Sequence, residues 1–420
     1  MGLIFYNIFL LAFKAGIRIA ALFHPKARKW VNGRRQIFQR LQEAIQPGQQ
    51  VVWMHCASLG EFEQGRPLLE ALREQYPSCK LLLTFFSPSG YEVRKNYTGA
   101  DWVFYLPMDG PRNARRFLEI VKPSLVIFVK YEFWFYYLKK VKYRNIPLIL
   151  VSALFWEKMS FFKWYGAMQR KMLSRFDQLF VQDAGSQQLL QNIGLGNITT
   201  ISGDTRFDRV SAIARQAASV PVVEQFTADR PALIAGSTWP EDEVLLQQAQ
   251  QQLSDIGLWL VIAPHDISES RIAAIEKLFP QSIRYSAAVK NPELSVAAVS
   301  VLIIDNIGLL SSIYRYGMAC YIGGGFGKGI HNTLEAAVYG KPLLFGPVFH
   351  KFKEAKDLIA AGAAFSVTEP AQAAAHLQQW IQSPDSCAQA GMAARQYVNA
   401  STGATGKILE FIQEKRLLTS

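Results

Sequence analysis

The sequence predicts an α/β chain of two doubly wound halves, led by an amphipathic N-terminal helix. Three observations carry that expectation. Short apolar runs of strand type alternate with helical stretches through most of the 420 residues. The alternation stops once, over residues 210–230, and then restarts. The first fifty residues are apolar and basic at once.

Residues 1–23 read MGLIFYNIFLLAFKAGIRIAALF. A bilayer span takes about 20 apolar residues, so the length suffices. Lys14 and Arg18 argue against a span. On a helix Asn7, Lys14 and Arg18 share one stripe, and Leu, Ile, Phe and Ala fill the rest. That is the pattern of a helix lying in a membrane interface. The first fifty residues hold eight basic side chains (Lys14, Arg18, Lys26, Arg28, Lys29, Arg34, Arg35 and Arg40) against the single acid Glu43. The whole chain carries +12, so over half of the excess sits here, placed to meet anionic head groups. No basic stretch precedes the apolar run and no small-x-small site follows it, which disfavours a signal peptide. Packing on the protein's own core is the structural alternative. Basic residues flank an apolar helix instead of interleaving with exposed aromatics, so nucleic acid is not an expected partner.

The strands come next. Apolar runs at 51–55, 81–85, 102–105, 125–129, 148–151 and 178–181 make the first half. Runs at 232–235, 258–262, 301–304, 318–322 and 342–345 make the second. Alternation of this kind implies parallel sheets covered on both faces. The expected division is a membrane helix with its basic segment over 1–45, a first α/β domain over 46–209 and a linker over 210–230. A second domain over 231–395 and a C-terminal helix over 396–420 complete it. Ligands of such sheets bind at the carboxyl ends of strands, and two halves facing each other would share a cleft. Four cysteines without CxxC spacing speak against a zinc site or a disulfide framework and fit a reducing compartment.

Four clusters carry chemistry. Residues 55–64 (HCASLGEFEQ) join a strand to a helix expected at 64–75. Gly60 permits a tight loop there, and a carboxylate on it can serve as a general base. Glu61 or Glu63 complementing the positive helix end is the structural alternative. Residues 130–134 (KYEFW) place a Lys–Glu pair beside aromatics after another strand. Residues 235–243 (AGSTWPEDE) run from strand to helix, with Thr238 and Glu241 at capping-box spacing and Pro240 in the first turn. Free N–H groups and hydroxyls at such an end suit a phosphate. Residues 322–337 (IGGGFGKGIHNTLEAA) are neither a P-loop nor GxGxxG in register. They place a glycine loop after a strand, and His331 and Glu335 one turn apart on one helix face. A metal would need a third ligand, and none is evident.

In this order the clusters resemble the 3-deoxy-D-manno-octulosonic acid (Kdo) transferases of lipid A biosynthesis, over nearly the whole chain. The family's AS-x-GE-x-EQ-x-RP loop reads here from Ala57 through Ser58, Gly60, Glu61, Glu63, Gln64 and Arg66 to Pro67. Its G-N/D-T-R-F-D segment spans residues 203–208, its GST is Gly236, Ser237 and Thr238, and its GGHN-x-LE ends in His331, Asn332, Leu334 and Glu335. Three positions depart. Lys130 replaces the first Glu of E-x-E, leaving Glu132. P-R-H appears as Ala263, Pro264 and His265, and a late loop Asn as Lys351.

The resemblance implies a GT-B architecture of two Rossmann-like domains. It implies inverting, metal-independent transfer of Kdo from CMP-Kdo to a lipid A precursor, with no cofactor. Glu61 would be the base and Glu132 its support. Gly236, Ser237, Thr238, His265, Gly323, Gly324, Gly325, His331, Asn332 and Glu335 would hold the donor, Glu335 on the ribose. Ser58, Gly60 and Arg66 would face the acceptor or the sugar carboxylate. The place would be the cytoplasmic face of the inner membrane, on anionic lipid. A GT-B enzyme using a UDP-sugar, or a non-catalytic sugar-nucleotide binder, are the rival readings.

Overall fold

The computed structural model describes residues 2–291 and 298–418; Met1, the first residue of the predicted helix, lies outside them. The chain forms two compact units, residues 1–209 with 402–420, and residues 210–401. Each contains one seven-stranded sheet. The first is built from β1 Val51–Cys56, β2 Lys80–Phe85, β3 Trp102–Tyr105, β4 Pro123–Val129, β5 Leu148–Ala153, β6 Gln178–Val181 and β7 Thr199–Ile201, in the order β3-β2-β1-β4-β5-β6-β7. The second uses β8 Ala232–Thr238, β9 Trp259–Pro264, β10 Ser282–Arg284, β11 Val301–Ile303, β12 Ala319–Ile322, β13 Leu343–Phe345 and β14 Ala364–Ser366, in the order β10-β11-β9-β8-β12-β13-β14. The pairings are parallel throughout. The fold class is the one expected from the sequence.

A strand covered on both faces has no polar side, which is why its sequence is a continuous apolar run. Strand β1 shows this directly. Val51 and Trp53 enter the core on one face of the sheet, and Val52, Met54 and Cys56 enter the core on the other. Short β7, β10 and β14, of three residues each, are at or near sheet edges and carry too little apolar signal to be seen in advance.

The C-terminal stretch corrects one expectation. It is not a single helix: Pro384–Ala400 ends, Gly403 turns the chain in the left-handed region (φ +102°), and Ala404–Glu414 follows. Ile408 and Ile412 of that last helix pack into the first unit's core. Asp208 fixes its start, accepting from the N–H groups of Gly403 (2.6 Å) and Thr405 (2.7 Å).

The N-terminal helix Gly2–Phe23 is long and apolar enough to cross a membrane by length and composition. Its docked face is narrow. Leu10 is buried, Tyr6, Phe13 and Ile17 are partly so, and Ile4, Phe5, Ile8, Leu11, Ile19, Leu22 and Phe23 are exposed. Asn7 leaves the predicted polar stripe, because Tyr136 donates to its side-chain oxygen at 2.8 Å. Tyr6 donates to Asp109 at 2.6 Å, and the same carboxylate accepts from the N–H groups of Tyr136 and Tyr137. The helix is thus anchored by polar contacts, and its outward face is bare hydrocarbon.

Candidate active site

Doubly wound sheets bind ligands beyond the carboxyl ends of their strands, where strand order reverses. That point lies between β1 and β4 in the first unit, and between β8 and β12 in the second. All four sequence clusters fall there. Residues 58–61 follow β1, 130–134 follow β4, 236–238 close β8, and 323–325 follow β12. The backbone is strained at these ends. Lys130, Ser152 and Ser237 have φ of +66°, +54° and +55°. Such conformations cost about 1–3 kcal/mol in a residue with a side chain and collect at functional sites.

In the first unit the helix starts at Leu59, so Gly60 and Glu61 lie in its first turn and not in a loop. Ser58 is the N-cap, and its hydroxyl donates to the Glu61 carboxylate. The charge of Glu61 thereby sits at the positive end of the helix. Ser58 and Glu61 have capping-box spacing, which was legible in the sequence and overlooked. A Cβ on Gly60 would meet only the Ser58 hydroxyl, at 3.8 Å, so no packing demand calls for glycine and the space before Glu61 is open.

Glu132 is buried, with 7% of its surface exposed, and held from two sides. His55 Nε2 lies 2.8 Å from its Oε2, and the Trp134 indole N–H donates to the same oxygen at 2.5 Å. His55 Nδ1 lies 2.9 Å from the Thr84 hydroxyl, which also accepts from the Trp53 indole at 2.8 Å. Burial pushes the Cys56 thiol well up, and the nearby charges of Glu61 and Glu132 add to the effect. Burial likewise raises the Tyr131 phenol, to about 12, with Glu61, Asp183 and Asp204 adding. One thiol and one phenol therefore sense the acids that line this end of the sheet.

Two neighbours are committed elsewhere. Glu63 pairs with Arg94 at 3.0 Å and with Arg209. Arg66 pairs with Glu70 at 2.6 Å and lies over the Tyr97 ring. Five residues on, Arg66 is about 140° around the helix from Glu61, so the two do not share a face. Lys130 lies 5.4 Å from the centre of the Tyr131 ring and donates its backbone N–H to Val151.

In the second unit the helix Pro240–Gln252 is capped by Trp239 with Asp242, not by Thr238 with Glu241. Thr238 is buried and donates its hydroxyl to Glu243 at 2.8 Å, and Glu243 pairs with Arg271. Asp242 is fully buried and is the hub of this end. It accepts from Trp239 N–H (2.9 Å), Gly324 N–H (2.8 Å) and the Tyr321 hydroxyl (2.8 Å), while burial raises its pKa above the usual carboxylate range. The glycine loop is turned inward as well. Gly323 N–H donates to Gly236 O at 2.9 Å, and a Cβ there would collide with the Ser237 carbonyl. Gly324 takes φ +91°. The N–H groups of Gly323 and Gly324 thus both have partners within the unit; Gly325 packs against Gly346.

His331 is not helical, because the helix begins only at Leu334. It belongs instead to a stack of three rings. Trp239 lies 4.9 Å from His265, and His265 lies 4.6 Å from His331, with interplanar angles of 23° and 24°. The Trp239 indole donates to His331 Nε2 at 3.2 Å. Burial, and then the neighbouring His265, lower the His331 pKa. Asn332 donates to Glu335 at 2.9 Å and accepts from Leu334 N–H at 3.2 Å. The structure thus gathers Gly236, Ser237, Thr238, His265, Gly323, Gly324, Gly325 and His331 at one sheet end, with Asn332 and Glu335 just beyond. Lys351 is exposed on a later loop. Trp239, Tyr321, Asp242 and, in the first unit, His55 are the participants that sequence reasoning missed. Among the described residues no group of three or more His, Cys, Asp or Glu side chains is placed to hold a metal ion.

Residues 32–209 match the family model described as 3-deoxy-D-manno-octulosonic-acid transferase (kdotransferase). Over 381 residues the chain is 26% identical to the 3-deoxy-D-manno-octulosonic acid transferase of Haemophilus influenzae, covering 87% of each. It is 28% identical to that of Bordetella pertussis, over 86% of this chain and 87% of the relative. For that of Aquifex aeolicus the figures are 26%, 78% and 84%. Solved structures add the fold. The UDP-GlcNAc 2-epimerase of Neisseria meningitidis superposes with a TM-score of 0.59 at 16% identity, covering 87% of this chain and 100% of that one. MurG of Acinetobacter baumannii does so with 0.53 at 15%, covering 87% and 99%. The two parallel sheets share the GT-B-like fold of these neighbours, and over most of its length the chain is similar to Kdo transferases, which marks it as a glycosyltransferase.

Proposed function

We propose that this chain transfers Kdo from CMP-Kdo to a lipid A precursor in lipopolysaccharide biosynthesis, with inversion at the anomeric carbon and without an essential metal. One observation carries the reading: the four clusters that resemble the family stand at the two switch points, one pair to each unit. Kdo and its transfer come from the relatives' names; CMP as carrier, the lipid acceptor and inversion come from the family resemblance.

In this mechanism Glu61 takes the proton of an acceptor hydroxyl as that oxygen bonds to the anomeric carbon. The bond from that carbon to the CMP phosphate oxygen breaks, and CMP leaves with the electron pair. The Ser58 hydroxyl aims the Glu61 carboxylate, and Gly60 leaves room for the acceptor. Glu132, locked by His55 and Trp134, gives the acceptor side a fixed carboxyl group. In the second unit Ser237 and Asn332 face the nucleotide, Glu335 its ribose, and the exposed Trp239 and His265 offer flat rings. A phosphate is already a good leaving group, so preorganised dipoles suffice to stabilise it.

The setting is the cytoplasmic face of the inner membrane, with the N-terminal helix lying in anionic lipid. The bare apolar face of that helix supports this placement. Incubation with CMP-Kdo and a tetra-acylated lipid A precursor, followed by mass spectrometry, tests the proposal. A product heavier by one or more Kdo residues is expected, with CMP inhibiting more strongly than UDP. An unchanged acceptor, or inhibition by UDP alone, refutes it.

A further inference from the structure

The first unit has a second candidate ligand cavity, away from Glu61. It lies between the N-terminal helix, the helices Pro25–Asn32 and Ile37–Ala44, and the loop before the helix Pro111–Val121, and has a volume of about 590 Å³. Lys14, Arg18, Arg34, Arg35 and Arg116 line it, and among the described residues no Asp or Glu does. Arg34 is set back in its wall and is held by three carbonyls, those of Leu106 (2.9 Å), Phe86 (2.8 Å) and Trp30 (3.1 Å). Carbonyls supply dipoles and no counter-charge. Burial lowers the Arg34 pKa to about 9, against the weaker opposing effect of the Tyr105 and Tyr137 phenols.

A protein rarely leaves five cations around one cavity without an acid, because they repel one another and the buried one is poorly solvated. A dianion in the cavity relieves both costs. The exposed apolar side chains Ile4, Ile8, Leu11 and Ile19 lie on the helix that also carries Lys14 and Arg18 into the cavity, so the anion arrives joined to hydrocarbon. Trp164 and Tyr165 stand almost fully and mostly exposed just before the helix Ala167–Leu173, which packs against the N-terminal helix. Aromatics of this kind gather at a lipid–water boundary. The cavity is also coupled to the acceptor side. Trp30 lies 5.7 Å from Phe86, Phe86 lies 4.6 Å from Trp134, and Trp134 holds Glu132.

We propose that this cavity is a binding site for the phosphomonoester head group of a membrane lipid, distinct from the Glu61 site. It rests on the membrane-surface part of the functional reading and not on the identity of the sugar donor. A monoester brings close to two charges to one point, which is what a converging set of guanidinium groups recognises. A diester brings one.

Vesicle flotation of the full chain tests it. Neutral phosphatidylcholine vesicles carry either phosphatidic acid or phosphatidylglycerol, matched for surface charge. The wild type is expected to bind the phosphatidic acid vesicles more tightly. Arg35→Gln with Arg116→Gln, both exposed positions, should lose that preference, with binding to phosphatidic acid weakened about fivefold per cation removed. Lys26→Gln with Lys29→Gln, in the same basic segment but outside the cavity, should keep it. Equal binding of wild type to the two vesicles, or equal loss of preference in both double variants, overturns the proposal. Titration with inorganic phosphate in the absence of vesicles separates a lipid from a soluble anion. Saturable binding of phosphate as tight as that to phosphatidic acid assigns the cavity to a soluble ligand and overturns the lipid assignment. If transfer fails while the preference stands, the donor chemistry is wrong and the cavity is right; transfer without preference is the reverse.

Discussion

The two switch points solve opposite problems. In the first unit a buried carboxylate and a partly exposed one are each braced by neighbouring side chains. Glu132 is held by the His55 and Trp134 donors behind it, and Glu61 by the Ser58 hydroxyl beside it. In the second unit the polar groups are spent inward. Thr238 bonds Glu243, Glu243 pairs with Arg271, and Asp242 gathers three donors, so that what remains at the surface is a stack of rings. A charge poised on a short support suits proton transfer. A rigid, inwardly satisfied loop with flat rings suits a bound nucleotide. The difference fits the proposed division of labour between an acceptor end and a donor end.

Removing the poised charge is the harshest test of that division. Glu61→Gln keeps the shape and the Ser58 contact but cannot take a proton. Transfer should fall by about 10²–10⁴-fold, the usual worth of a general base. Binding of CMP, measured by calorimetry, should stay near wild type because the proposed nucleotide site lies in the other unit. Transfer within a few fold of wild type would take the base away from Glu61.

The second unit should break through stability instead. Asp242→Ala strands the N–H groups of Trp239 and Gly324 and the Tyr321 hydroxyl at a buried site. Each lost acceptor costs about 1 kcal/mol or more, so about 3 kcal/mol in all is expected. Thermal unfolding should move down by about 6–12 °C for a unit of this size. A shift under about 2 °C would show that the hub is replaceable by water.

How much of this was legible beforehand follows from how far each signal reaches along the chain. The central strands were plain, because burial on both faces writes an unbroken apolar run. The helix starts at Leu59 and not at the expected Gln64, because Gly60, a loop residue by its type, sits in a first turn that Ser58 and Glu61 mark. His331 was placed on a helix because His-x-x-x-Glu has helical spacing; Asn332, bonding Leu334 N–H, instead starts the helix after it. His55 and Glu132 meet across 77 positions, and Asp242 and Gly324 across 82. No local pattern announces such pairs. The resemblance named the clusters without revealing that Gly323 and Gly324 already use their N–H groups.

A smaller effect probes the first unit's link to its N-terminal helix. Tyr6→Phe removes the hydroxyl that bonds Asp109 but keeps the ring against Phe135 and Tyr136. Asp109 retains its backbone donors, those of Tyr136 and Tyr137 among them, so the loss should be about 1–2 kcal/mol. Local hydrogen exchange at residues 3–12 should rise while transfer with a soluble, short-chain acceptor stays unchanged. Unaltered exchange would show that apolar contact with Leu10 and Phe13 alone holds the helix.

The smallest effect expected is a pH dependence at the ring stack. His331 is held below its ordinary value of 6.5, first by burial and second by His265. The folded state therefore disfavours the charged ring. Unfolding releases it to bind a proton more readily, so the unfolded chain carries more protons between the two pKa values and stability rises with pH there. The contribution is fully present above about 6.5 and is lost as pH falls toward the lowered folded value. His376, also lowered by burial, acts in the same direction, so the ring stack must be isolated by substitution. His265→Asn removes the second cause and leaves the first. The His331 ring signals, followed by nuclear magnetic resonance, should then titrate at a higher pH than in the wild type while remaining below 6.5. An unchanged titration would mean that His265 adds no charge repulsion, and that burial alone keeps His331 neutral as the acceptor of the Trp239 indole hydrogen bond.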